Sequence, residues 1–348
     1  MICIACRNDC KYRERSDGKC PKCRHPFAFE PRTGARITDA GFEQALARVS
    51  AYGKIKWTKG HLHYELARRI DKKRITWPVF AFAVLVTGIG LAGRHHHPAF
   101  LVLGFALFVT GCALAISRRR PTLKLTPTDF EGMYRSWVRA HGEPAALIAR
   151  RAPLPAAKAP RALPADIGEY SFDRAVVCDR RETVDLLLAN NFHFENNCAV
   201  LSVDGYPEPA FATVLAMLKK NPKLVVYALH DASLDGCGLA RRLATSPEWF
   251  AKGAHVIDVG LTPRHARAFR GLWTETGIWH ANRGSTDDER WLARYSLELA
   301  VIRPEQVIKR LFRAISQTPE AFAEGLAIDA AAFSSDASAS DGGGDSFG

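Results

Sequence analysis

Residues 224–236, Leu-Val-Val-Tyr-Ala-Leu-His-Asp-Ala-Ser-Leu-Asp-Gly, decide how the C-terminal half of this chain folds. An uncharged apolar run followed by a polar, turn-forming cluster reads as a strand buried on both faces that ends in a loop. Similar runs stand at Arg174 to Cys178, Ala199 to Val203 and His255 to Val259. Between them, Glu182 to Asn190 and Pro209 to Lys220 have helical spacing, and Gly238 to Ala244 begins another helix. The order βαβαβαβ predicts an open, mainly parallel sheet with right-handed crossovers. Ligands of such sheets bind beyond the carboxyl ends of the strands.

The residues predicted at those ends are Asp179, Asp204-Gly205-Tyr206-Pro207, and His230-Asp231-Ala232-Ser233 followed by Asp235-Gly236. Their order resembles the Toprim domain, and most of all the type VI topoisomerase A subunit and the related meiotic break-forming proteins. That family carries a Gly-Tyr-Pro turn after the second strand and an Asp-x-Asp with a nearby Gly after the third. The resemblance covers roughly residues 170 to 262. It implies acid/base chemistry at Asp179 and a Mg²⁺ site built from Asp179, Asp231 and Asp235, with Asp179 and Asp231 as the catalytic pair. Two departures damage that set. The family's first acid is Glu where this chain has the shorter Asp179, and the second Asp of the pair is Ser233. Nothing around Tyr134 marks it as a nucleophile, so a complete cleavage and religation machine is not expected. Two readings follow: a Toprim-like fold that has lost catalysis and serves binding or assembly, or a Mg²⁺-dependent phosphodiester hydrolase or nucleotidyl-transfer enzyme. The loss of a metal-binding carboxylate favours the first.

Upstream, Ile75 to Gly93 and Ala99 to Ser117 are uncharged apolar runs separated by Arg94-His95-His96-His97-Pro98. Each has about the 20 residues that a helix needs to cross a bilayer, so residues 75–117 predict a two-helix transmembrane hairpin. Lys72-Lys73-Arg74 and Arg118-Arg119-Arg120 flank it, against a single Arg94 in the loop. The positive-inside rule then places both ends in the cytoplasm, with the hairpin in the inner or plasma membrane and lipid as one partner. No intramembrane charge marks an ion or substrate path, which argues against transport.

At the N-terminus, Cys3-Ile4-Ala5-Cys6 and Cys20-Pro21-Lys22-Cys23 form paired C-x-x-C knuckles. Two such turns complete a tetrahedral Cys₄ site, so residues 1–30 predict a zinc ribbon with structural Zn²⁺ on Cys3, Cys6, Cys20 and Cys23. Cys10 and His25 are substitute ligands of lower rank. So little apolar surface lies in this stretch that metal would supply most of its folding energy.

The fold class expected is therefore multi-domain: the zinc ribbon, a helical segment over 31–74, the hairpin, a helical segment over 118–151, a Pro/Ala-rich linker over 152–169, a Toprim-like α/β domain over 170–333 and a disordered tail over 334–348. Thr38-Asp39 signals a helix start, Gly53 to Thr58 a short strand and Lys59 to Lys73 a second helix, an order shared with winged helices. Thr126-Pro127-Thr128-Asp129-Phe130-Glu131 echoes Thr38-Asp39-Ala40-Gly41-Phe42-Glu43, as either two copies of one unit or a chance match. The segment Asn190-Asn191-Phe192-His193-Phe194-Glu195-Asn196-Asn197 reads as an ordered connection, and Trp249, Trp273, Trp279 and Trp291 as core or partner surface. Cys112, Cys178, Cys198 and Cys237 read as buried apolar side chains. A net charge of +12 suits nucleic acid or anionic lipid and does not choose between them, and a nucleotide is a further candidate for the acidic edge. Another protein or a second copy of the chain completes the partners considered.

Overall fold

A computed structural model describes residues 1–72, 122–149, 172–250, 254–276 and 286–317, apart from Ser16 and Pro209, with Val109 on its own. The expected hairpin at 75–117, the linker at 152–169 and the tail at 334–348 lie outside this set. Among the described residues no helix is long and apolar enough to cross a membrane.

The C-terminal half forms a four-stranded sheet from β1 (Arg174–Cys178), β2 (Cys198–Ser202), β3 (Val225–Leu229) and β4 (His255–Asp258), in the order β2-β1-β3-β4. All three pairings are parallel. β1 and β2 are buried almost end to end, as expected for strands covered on both faces. Alternate side chains feed two cores. Val176, Cys178, Val200, Tyr227 and Leu229 face one layer, in which α4 (Arg181–Ala189) contributes Val184 and Leu187, and α11 (Pro304–Ser316) contributes Val307 and Leu311. Ala175, Val177, Ala199, Leu201, Val226 and Ala228 face the other, with Leu218 of α6 (Phe211–Lys220) and Leu239 and Leu243 of α8 (Leu239–Thr245). Leaving β1 in one direction and returning past it in the other puts α4 on one face and α6 and α8 on the opposite one, given right-handed crossovers. The chain reverses between β1 and β3, which is where Asp179 and Asp231 emerge.

The N-terminal half is helical. In α1 (Asp39–Val49) the Thr38 hydroxyl accepts the Gly41 N–H, and Phe42, Ala45 and Val49 recur on one buried face. α3 (Pro127–His141) starts the same way, with Thr126 accepting the Asp129 N–H and Pro127 at its first position, and it buries Phe130, Tyr134 and Trp137. The helices that the two echoed segments begin meet: the Phe42 and Trp137 rings stack at 4.5 Å between centroids. α2 (Lys59–Lys72) packs beside α1 and brings Leu62 and Leu66 into the core that backs the sheet. The strand expected at Gly53 to Thr58 does not form. Ala51, Tyr52 and Gly53 take left-handed φ values of 46°, 57° and 84°, which turn the chain, and only Trp57 pairs, in a single bridge with Leu147. Without that strand the winged-helix order is not completed. The connection before β2 contains a single helical turn, α5 (Phe192–Glu195). Trp273 and Trp291 are core residues, packed edge to face at 5.4 Å beside Tyr295.

Two glycines fix the path at the strand ends. A Cβ on Gly236 would lie 2.3 Å from the Asp231 carbonyl oxygen, and one on Gly260 would lie 2.4 Å from the His230 ring. Neither neighbour can move, because one is backbone and the other is a buried ring held at both nitrogens. Gly236→Ala and Gly260→Ala should each destabilise the protein by about 1–3 kcal/mol. Gly132→Ala, in a helix with nothing within 4 Å, should stabilise it by up to about 1 kcal/mol. Unfolding of the full chain in detergent checks the three together.

Candidate functional site

The first site is the cysteine knot. Each knuckle has the same local geometry: Arg7 N–H donates to the Cys3 carbonyl and Arg24 N–H to the Cys20 carbonyl, with Arg7 and Arg24 at φ 59° and 60°. Ile2 pairs with Asp9, and Lys19 pairs with Pro26 in the same way, 17 residues on. The sulfurs of Cys3, Cys6, Cys20 and Cys23 all lie within 4.8 Å of one another. The separations Cys3 to Cys23 and Cys6 to Cys20 are 3.7 and 3.6 Å. Four thiolates about 2.3 Å from one tetrahedral ion would stand roughly 3.8 Å apart, so the set fits one metal ion and is compatible with zinc. Burial opposes ionisation of Cys20, but the N–H groups of Cys23 and Lys22 outweigh it and pull its thiol down to about 6. At Cys23 the His25 N–H acts in the same direction, but burial and the neighbouring sulfurs outweigh it and push the thiol up to about 12, so the sulfurs compete for charge until a cation joins them.

The two lower-ranked ligands have other partners. Cys10 sits 3.7 Å from Cys20 but takes its hydrogen bonds from and to Asn8. His25 Nε2 meets His141 Nδ1 at 2.8 Å, and His141 Nε2 meets the Asp39 carboxylate at 2.7 Å. Asp39 also accepts the N–H groups of Ala28 and Phe29, each at 2.9 Å, which satisfies a fully buried carboxylate. This chain docks the knot against α1 and α3.

The second site is the edge at the carboxyl ends of β1 and β3. Asp179 and Asp231 meet there, the Asp231 N–H donating to Asp179 Oδ2 at 2.7 Å. Asp231 is buried, and its Oδ1 accepts the Leu299 N–H at 2.6 Å while Oδ2 faces Arg180 Nε in an ion pair without a hydrogen bond among the described residues. Arg180 also reaches Glu298 at 3.0 Å. Burial, then the neighbouring Asp179, pushes Asp231 up to about 7; burial raises Asp179 as well. Asp179 Oδ1 is buried without a hydrogen-bond partner among the described residues. Asp235 does not join the pair. It is exposed on α7 (Leu234–Cys237), and the cysteines are the only group of three or more His, Cys, Asp or Glu placed to hold a metal ion among the described residues. Asp204 is likewise taken, by Arg181 and by the Ser202 hydroxyl at 2.5 Å.

Beneath the pair lies fully buried His230. Its Nδ1 meets the Asp231 carbonyl at 2.7 Å and its Nε2 the Asp258 carboxylate at 2.9 Å. Both nitrogens face acceptors, an arrangement that favours the doubly protonated ring. Burial works against that charge, but the Asp258 hydrogen bond and charge prevail and raise His230 above its ordinary value. Asp258 is lowered in turn, His230 outweighing burial. Asp258 ends β4 as Asp179 follows β1, a parallel that the strand pattern contained. Arg180 adjoins Asp179 in the sequence, but its pairing with Asp231 has no local signal. Leu299 and Glu298 stand far along the chain, and no pattern in the sequence points to them.

No family model, curated protein or solved structure matches this chain.

Two measurements follow. Replacing Cys20 by Ser should cost the chain its bound metal and unfold the knot, whereas Cys10→Ser should retain it, as read by metal content after dialysis. Asp231 is held near 7 in the folded state against an ordinary 3.8, so the folded protein binds the proton more tightly than the unfolded chain. Its contribution to stability is present below about pH 4 and is lost as pH rises through about 7. Asp231→Asn should remove that loss, so the difference between the two stability profiles should change across this window and level off on both sides.

Proposed function

We propose that this chain is a membrane-anchored binding or assembly module, in which a structural zinc ribbon and a Toprim-like α/β domain act on the cytoplasmic side without metal-dependent catalysis at the sheet edge. The observation that carries this reading is the state of Asp231. Of the carboxylate that would hold Mg²⁺, Oδ1 is taken by the Leu299 N–H, and Oδ2, which makes no hydrogen bond among the described residues, lies against the Arg180 guanidinium, which supplies the positive charge that a cation would bring. Ser233, in the place of the second metal-binding Asp, caps the following turn by accepting the Gly236 N–H at 3.0 Å. The knot's four sulfurs support zinc over harder ions, because thiolates favour it. The apolar runs and basic flanks of residues 75–117 support the anchor.

A second reading has its own support. Asp179 Oδ1 is buried and unpartnered, and two adjacent carboxylates with raised proton affinity are a pattern of catalytic sites. Mg²⁺ needs only one or two carboxylates when water and phosphate complete its shell. On this reading the domain hydrolyses or transfers a phosphodiester.

Manganese binding and hydrolysis of bis(p-nitrophenyl) phosphate by the full chain in detergent separate the two. The binding module predicts neither, and predicts that Arg180→Ala, which leaves the pair without its counter-charge, gains Mn²⁺ affinity by about tenfold or more. Mn²⁺-dependent hydrolysis by the unaltered chain that disappears in Asp231→Ala would establish the enzyme instead.

A further inference from the structure

The segment Asn190 to Asn197 takes part in neither site. It joins α4 to the amino end of β2, so it lies at the opposite end of the sheet from Asp179 and Asp231. Within its single turn Phe192 is buried, but Phe194 is 82% exposed. The loop between α1 and α2 offers a second bare ring, Tyr52, which is 79% exposed. Asn190 joins the two loops: its Oδ1 accepts the Lys56 N–H at 2.8 Å and its Nδ2 donates to the Lys56 carbonyl at 3.0 Å. The same Nδ2 also donates to the Leu186 carbonyl at 2.8 Å, which fixes the side chain on α4.

The Tyr52 ring is carried on backbone that costs energy to hold: its φ is 57°, in the left-handed region that bulky residues avoid. Lys54 and Lys56 are exposed in the loop that carries Tyr52 and make no ion pair among the described residues. Lys59, by contrast, is engaged by Glu131 at 3.2 Å and lies over the Tyr134 ring. The exposed residues that flank the rings in the sequence are Gly53, the two lysines, Asn191 and Asn197, with Glu195 the exposed acid of the segment. A protein-docking centre surrounds its aromatic anchors with apolar groups that exclude water. Here the exposed flanking residues are cationic and hydrogen-bonding, which suits bases and phosphates.

We propose that Tyr52, Lys54, Lys56 and Phe194 form a binding surface for a single-stranded nucleic acid, the two rings stacking on bases and the lysines meeting the phosphates between them. Duplexes hide the faces of their bases, so the surface favours unpaired strands. Because it lies at the other end of the sheet from the acidic edge, it goes beyond the metal-free reading of that edge. Manganese binding tests one and oligonucleotide binding the other, so each fails separately.

The experiment is fluorescence anisotropy of labelled oligothymidylate and oligouridylate of about 20 nucleotides, against a duplex of equal length, with the full chain in detergent. The unaltered chain should bind the single strands more tightly than the duplex. The pair Tyr52→Ala, Phe194→Ala should weaken that binding by about tenfold or more, whereas Tyr52→Phe should keep it. Lys54→Gln with Lys56→Gln should make the dependence of log affinity on log salt shallower by about 1.4. All four side chains are exposed, so metal content and melting temperature should stay unchanged and report intact folding. Failure of the unaltered chain to bind either single strand, or equal binding after both rings are removed, overturns the proposal and leaves a protein partner for this face.

Discussion

Two carboxylates, Asp179 and Asp231, stand side by side at a buried edge of the sheet, and burial of like charges must be compensated within hydrogen-bond reach. Arg180 and the Leu299 N–H compensate one side of the pair, and the His230 ring, whose proton affinity is raised, lies beneath it. The chain around Leu299 cannot drift without leaving Asp231 unsatisfied. It is held by the Ala232–Leu297 bridge on one side and by the helical half of the molecule on the other. Gly60 of α2 lies so close to Ala300 that a Cβ on it would be 3.1 Å from the alanine methyl. Arg68 donates to the Val301 carbonyl, and Arg303 reaches buried Glu65 at 3.2 Å. Burial alone would raise Glu65, but Arg303 and Arg68 hold it below its ordinary range.

Residues 298–303 therefore serve two interfaces at once. They close the acidic edge of the sheet and they form the seat for α2, the helix that leads toward the apolar runs at 75–117. The cysteine knot is tied to the same body through Asp39, His141 and His25, and through Arg7 and Glu43 at 2.9 Å. One continuous apolar core, running from Phe29 and Phe42 through Trp57 and Leu62 to Leu187 and Leu311, backs these polar contacts. The parts that the sequence separates into modules share that core, because each helix buries its apolar stripe against a neighbouring module.

The strands were legible because their signal is local. The apolar run at residues 224–229 contains its own evidence of burial on two faces, and the observed β3 starts one residue later, at Val225. The capping threonines before α1 and α3 were legible for the same reason, since a hydroxyl three residues from a free N–H is a short-range device. Gly53 to Thr58 misled because composition suggested a strand while no partner strand was present to pair it, leaving a turn with one bridge at Trp57.

By itself the sequence determined the paired cysteine knuckles, the order of strands and helices in the C-terminal half and the acids at the ends of its strands. Periodicity and spacing act over a few residues, and these features depend on nothing more. Tertiary structure alone decided what the acids touch. Asp231 acquires Arg180 from the start of α4 and the N–H of Leu299 from the approach to α11, while Asp235, four residues from Asp231, is turned out to solvent. It also decided that the loops carrying Tyr52 and Phe194, from two different halves, are joined through the Asn190 amide and the Lys56 backbone. Charge compensation and shared hydrogen bonds depend on proximity in space, and the fold created that proximity between residues that no spacing in the chain relates.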